Sequence, residues 1–106
     1  MSKLENVSVD VKANVYFDGK VVSHSAFDTA GHKKTLGLIY PGTFTFDTGK
    51  AECMTITAGT CMVLLKGEGE WKIYGTGTEF KVPANSSFDI KVQHGITEYL
   101  CEFLEP

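Results

Sequence analysis

A chain of 106 residues with 42% apolar and 22% charged side chains suits one domain with one core and is too apolar to remain disordered. The formal charge is −3 and no Lys/Arg run exceeds the pair Lys33-Lys34, so the pattern lacks the basic face that nucleic-acid binding needs. No stretch approaches the roughly 18 apolar residues of a membrane span, and the opening MSKLENVSVDVKAN has no apolar signal core; a cytoplasmic protein with no membrane or nucleic-acid partner is expected.

Period-two alternation runs through the chain, and no segment keeps a 3.6-residue period for three turns. The first strand is predicted at 7–11 (VSVDV), and Asp18-Gly19 turns the chain into 20–27 (KVVSHSAF). Past Thr29-Ala30-Gly31 comes 34–40 (KTLGLIY), and past Pro41-Gly42 comes 43–48 (TFTFDT). Ala58-Gly59 separates 52–57 (ECMTIT) from 60–66 (TCMVLLK), and Gly67-Glu68-Gly69 leads into 70–74 (EWKIY). Gly75-Thr76-Gly77 precedes 78–82 (TEFKV), Pro83-Ala84-Asn85 precedes 87–93 (SFDIKVQ), and His94-Gly95 precedes 97–104 (TEYLCEFL).

About ten short strands at spacings of roughly 8–12 residues predict an all-β sandwich or barrel with little or no helix. An oligonucleotide-binding fold needs only five strands, and an antibody-type sandwich would show a Cys…Trp…Cys spacing that is absent. A double-sheet jelly roll accommodates this many strands with glycine-rich turns in one domain of this length.

The cysteines stand at 53, 61 and 101, an odd number with no C-x-x-C pair. Reduced, buried thiols in a cytoplasm are expected rather than a disulfide framework. A hairpin turning at Ala58-Gly59 would set Cys61 against Ile56 and Cys53 against Leu64, not against each other. The histidines, His24, His32 and His94, match no metal-ligand spacing and are expected at the surface or in turns.

Glu52 is the residue that asks for an explanation, because it lies in the β-rich run PGTFTFDTGKAECMTITAG. A carboxylate buried there is costly unless something satisfies or uses it. Its setting resembles the motifs of the cupins, a jelly-roll family. Glu52 is followed by six residues and Gly59, and Gly77 by five residues and Pro83. Asn85 stands where the second motif has a glycine and Phe88 where it has a histidine, while Phe46, Thr48 and Lys50 are the residues around the first motif's histidine positions. A metal site needs about three ligands from His, Asp, Glu or Cys; the frame offers Glu52 alone, so a metal-free cupin is expected. An aromatic at position 88 either fills the space of a hydrated metal or faces a ligand.

At finer grain, Asn14-Val15-Tyr16-Phe17-Asp18-Gly19-Lys20-Val21, Pro41-Gly42-Thr43-Phe44-Thr45-Phe46-Asp47-Thr48 and Glu52-Cys53-Met54-Thr55-Ile56 form an ordered series. Trp71-Lys72-Ile73-Tyr74, Phe80-Lys81-Val82-Pro83 with Ser87-Phe88, and Tyr99-Leu100-Cys101-Glu102-Phe103-Leu104 continue it. The series is similar to the small cupin family of pyrimidine/purine nucleoside phosphorylases over residues 13–104, with 1–12 as a member-specific extension. The resemblance implies a pentosyltransferase that cleaves purine and pyrimidine nucleosides reversibly with phosphate, giving free base and pentose 1-phosphate. It implies inorganic phosphate as co-substrate and no cofactor. An edge strand of a small jelly roll pairs readily with another chain, so a homodimer is expected.

Phosphorolysis passes through a cationic sugar, as glycoside cleavage does, so Glu52 is the expected catalytic group, either stabilising that charge or protonating the base. On a regular strand Thr48 and Lys50 would share its face and offer phosphate ligands. Phe46, Phe88, Tyr74 and Tyr99 are the candidate walls for the base, with plain core packing as the alternative for each. Two other readings stay open: a non-catalytic cupin that binds a sugar-like or anionic ligand, and a metal-dependent cupin enzyme.

Overall fold

A computed structural model describes residues 3–104. Among the described residues eleven strands form two antiparallel sheets, in line with the predicted jelly roll. The larger sheet has the order β1 (Ser8–Val9), β3 (Val21–Phe27), β4 (Lys33–Ile39), β11 (Thr97–Phe103), β6 (Glu52–Ala58), β9 (Glu79–Val82), and β2 (Asn14–Tyr16) also pairs with β3. The smaller sheet has the order β5 (Gly42–Asp47), β10 (Ser87–Val92), β7 (Thr60–Leu65), β8 (Lys72–Gly75). The predicted strand at 7–11 shrinks to two residues, and β2 is an addition: three residues with a polar first member are too short to show a period.

Consecutive strands β6 and β7 do not form the hairpin that Ala58-Gly59 suggests; they belong to different sheets. Gly59, at φ 90°, turns the chain from one sheet to the other, and a Cβ there would lie 2.8 Å from the Ile96 carbonyl oxygen. The crossing is fastened by the Thr97 hydroxyl, which donates to the Thr60 carbonyl at 2.8 Å. Cys53 therefore sits between Glu102 and Lys81, and Cys61 opposite Tyr74. All three thiols are free and buried.

Alternate residues of each strand face the space between the sheets. The core comes from Val21, Ile39, Met54, Ile56 and Tyr99 on the large sheet and Phe44, Val63, Phe88, Ile90 and Val92 on the small one. Along the inner face of the large sheet the chemistry changes in steps. One row across the strands is Val21, Ile39 and Thr97; the next is Ser23, Gly37, Tyr99 and Ile56; the third is Ser25, Thr35, Cys101 and Met54. A final row carries Lys33, Phe103 and Glu52 when the β4–β11 register is continued by one pair. The barrel is thus apolar at one end and lined with hydroxyls and charges at the other.

Candidate active site

The polar end opens as a cleft of about 400 Å³ between the large sheet and strand β5, which is an edge of the small sheet. Glu52 reaches it from the first position of β6 and is only 7% exposed. Burial raises the pKa of its carboxyl, and the neighbouring Cys101 thiol on β11 opposes that shift. Burial and the negative neighbour Glu52 push Cys101 up to about 12, so the thiol stays protonated as a donor.

Tyr99 forms the floor, 5% exposed, with its own pKa raised chiefly by burial. Its ring lies across Gly37 on the neighbouring strand, where any Cβ would collide with the ring and its hydroxyl. Beside it the Asn14 amide donates to Ser23 Oγ at 3.3 Å and Ser25 Oγ at 3.2 Å, tying β2 to the hydroxyl-rich side of the cleft.

Opposite Glu52, Lys33 enters from the first position of β4 and holds its ammonium 5.8 Å from the centre of the Phe103 ring. Among the described residues it is the lysine that lines the cleft. Lys33 and Glu52 stand on strands separated by β11, a backbone distance of roughly 10 Å at ~4.8 Å per strand spacing.

Strand β5 adds backbone donors. Thr48 N–H donates to the Ser86 carbonyl at 2.9 Å, which marks that pair as a hydrogen-bonded one in the β5–β10 register. Hydrogen-bonded pairs alternate in an antiparallel ladder, so Phe46 and Phe44 also bond to β10 while the N–H groups of Thr45 and Asp47 face away from it. Both Thr45 and Asp47 line the cleft.

Of the residues singled out from the sequence, the fold brings Glu52, Phe46 and Tyr99 to this one cleft. The other four lie outside its lining. Thr48 does not share a face with Glu52 through a continuous strand, because residues 48–51 form the crossing from one sheet to the other. Its hydroxyl donates to the Pro83 carbonyl at 2.7 Å and accepts from Ser86 N–H at 2.9 Å, clamping the turn before β10. Lys50 is exposed on that crossing. Phe88 is 1% exposed behind Phe46, ring centres 5.2 Å apart, and fills the core. Tyr74 packs on Phe80 at 4.9 Å on the far side of the barrel.

His24 Nδ1 lies 3.1 Å from the Asp10 carbonyl, His32 pairs with Asp28 in a turn, and His94 is exposed, so none approaches Glu52. Among the described residues no three His, Cys, Asp or Glu side chains converge in a way that would hold a metal ion. Asn14, Phe17, Lys33 and Thr35 are cleft residues that the sequence did not single out as ligands. The signal for Lys33 and Thr35 was their parity with Gly37 and Ile39 on β4, which places them on the inner face.

The chain resembles known proteins along nearly its whole length. It is 54% identical over 103 residues to a protein named pyrimidine/purine nucleoside phosphorylase from Cupriavidus taiwanensis, covering 97% of each chain. A crystal structure of an Acinetobacter sp. ADP1 protein of unknown function superposes with a TM-score of 0.93 at 36% identity, covering 96% of this chain and 98% of that one. Oxalate decarboxylase of Bacillus subtilis shares the fold at a TM-score of 0.74 and 14% identity, over 97% of this chain and 30% of that one. The family model for pyrimidine/purine nucleoside phosphorylase matches residues 11–103, and the chain belongs to that family.

Proposed function

We propose that the protein is a pentosyltransferase of the nucleoside phosphorylase type. It cleaves the N-glycosidic bond of purine and pyrimidine nucleosides with inorganic phosphate, reversibly, giving free base and pentose 1-phosphate. The observation that carries the reading is the row Lys33, Phe103, Glu52 across one open end of the barrel: a cation and a buried carboxylate flank a cleft walled by aromatics. The relatives' names supply the reaction, and the residues suit it.

In the reaction a phosphate oxygen bonds to C1′ while the C1′–N bond breaks and its electron pair leaves with the base nitrogen. A proton from solvent completes the free base. Between these events the sugar carries positive charge. The Glu52 carboxylate is poorly stabilised in its buried setting, and it gains most when that charge develops beside it. An interaction stronger in the transition state than in the ground state is what accelerates a reaction. Asn14, Ser23 and Thr35 offer hydrogen bonds to the ribose hydroxyls. Lys33 and the outward N–H groups of Thr45 and Asp47 receive phosphate, in place of the helix N-terminus that many phosphate sites use.

Metal independence is part of the proposal and is supported by the donor set, a carboxylate whose neighbour is a protonated thiol. A homodimer is proposed from the outer face of the large sheet, where Val22 pairs with Leu38 and Leu36 with Leu100 in a continuous apolar patch. A cytoplasmic setting is proposed from three free buried thiols; among the described residues no helix is long and apolar enough to cross a membrane.

Incubation with uridine or adenosine in phosphate buffer, with and without a strong chelator, tests the reading. Base release that requires phosphate and survives chelation is expected. Release from none of several nucleosides overturns the activity, and binding without release points to a non-catalytic module. Loss of activity with chelator removes the metal-independent part.

A further inference from the structure

The turn joining β2 to β3 holds Phe17 at φ 51° and Asp18 at φ 55°, followed by Gly19 at φ 87°. Asp tolerates the left-handed region because its short side chain bonds locally, and Gly has no Cβ to clash. A phenylalanine there is an outlier, and such strain persists where the surrounding structure or a function holds it. The result is an aromatic ring 45% exposed at the mouth of the cleft rather than buried.

That ring packs on Phe44 with centres 5.0 Å apart and lies nearly parallel to Phe46 of the same edge strand, 20° between planes and 6.2 Å between centres. A flat heterocycle held between two rings needs about 7 Å, twice the ~3.5 Å contact distance of carbon faces. Centres 6.2 Å apart leave less than that, so a base enters only as Phe17, on a short turn at the rim, swings outward while Phe46 stays anchored against Phe88. Of the polar side chains of the cleft, Glu52, Asn14, Ser23 and Thr35 lie on the large sheet, while Thr45 and Asp47 flank Phe46 on β5.

We infer that Phe17 and Phe46 form a clamp that takes the nucleobase of the substrate by its two faces. This rests on the nucleoside phosphorylase reading and deepens it by assigning the base subsite. Stacking reads the π-face, which every base has, and not the hydrogen-bonding edge that distinguishes purine from pyrimidine. Sugar recognition by the polar wall and face recognition by the clamp together give a site strict for the pentose and permissive for the base.

Two measurements test the clamp. Replacing Phe17 by Ala raises KM for uridine and adenosine alike by roughly tenfold or more, with KM for phosphate unchanged and with Phe17→Tyr restoring the nucleoside KM. Nucleoside KM unchanged for both substrates in folded Phe17→Ala overturns the clamp, as does a loss confined to melting temperature. Where that variant fails to fold, Phe17→Gly, which accepts the backbone angle without strain, takes its place. The second measurement does not need turnover. The one native tryptophan, Trp71, carries Lys91 over its ring at 4.8 Å and is not part of the cleft. In a Trp71→Phe background, Phe17→Trp puts the only indole in the clamp, and free adenine and free uracil are expected to quench its emission without phosphate. Quenching with no phosphorolysis by the wild type would sink the activity and keep the clamp; phosphorolysis with no quenching by either base would do the reverse.

Discussion

The Cys101 thiol stands beside the Glu52 carboxylate on the neighbouring strand, and burial holds both groups away from their ordinary ionisation. The thiol favours the ionised form of Glu52 and so lowers a pKa that burial has raised. Removing the donor in Cys101→Ala lets that pKa climb further. If Glu52 acts as a carboxylate, the acidic limb of kcat moves to higher pH in Cys101→Ala and returns toward the wild-type position in Cys101→Ser, which keeps a donor. A limb that stays in place in the alanine variant shows that the thiol does not tune Glu52.

The same burial sets stability against activity at Glu52. Its folded-state pKa lies above the unfolded value, so the folded chain holds a proton that the unfolded chain releases at lower pH. The stability from this group is fully present below the ordinary carboxylate range and is lost as pH rises through the raised folded-state value. Glu52→Gln removes the charge, and at neutral pH its melting temperature should equal or exceed that of the wild type, the gap closing as pH falls toward 4. Loss of one preorganised electrostatic contact should cost about 10²–10³ in kcat. A less stable Gln variant with unchanged kcat would make Glu52 a structural group.

The fold was legible because alternation marks strands wherever one face is buried, and ten of the strands announce themselves this way or by their flanking turns. The partnering of β6 was not. A Gly at φ 90° serves a hairpin and a crossing between sheets equally well, and the Thr97–Thr60 bond that decides for the crossing spans 37 residues. Glu52 was legible because a carboxylate in an apolar run breaks the local pattern. Lys33 breaks no pattern, since a lysine at a strand end usually faces water. Phe17 was invisible for another reason: its importance lies in a backbone angle, which the sequence F-D-G permits but does not state.

Thr48 separates a structural role from a binding one. Its hydroxyl bonds the Pro83 carbonyl and the Ser86 N–H, and Thr48→Val leaves both without that partner. A loss of about 1–2 kcal/mol in unfolding free energy is expected from a buried unsatisfied group, with KM for phosphate unchanged. A raised phosphate KM at wild-type stability would place Thr48 at the substrate after all.

Gly37 holds the floor of the cleft. A methyl group there meets the Tyr99 ring, whose strand is flanked on its other side by Ile56 of β6. Gly37→Ala should cost about 1–3 kcal/mol by overpacking, read from chemical denaturation, and should raise the nucleoside KM as the ring is driven into the cleft. Unchanged stability would mean that the ring turns aside freely.

Lys33 is the cation at the mouth, and a phosphate held there gains a charge-assisted bond worth about 1.5–3 kcal/mol, or roughly 10- to 100-fold in affinity. Lys33→Ala should raise KM for phosphate by that factor and leave the nucleoside KM nearly unchanged. Lys33→Arg should retain most of the phosphate affinity, because a guanidinium also carries the charge and forks onto phosphate oxygens. Lys33 is exposed, so added salt screens the attraction: the wild-type phosphate KM should rise with ionic strength, and the alanine variant should lose that dependence. A phosphate KM equal in both proteins at low salt would remove Lys33 from the site and leave the edge amides of β5 to hold the anion alone.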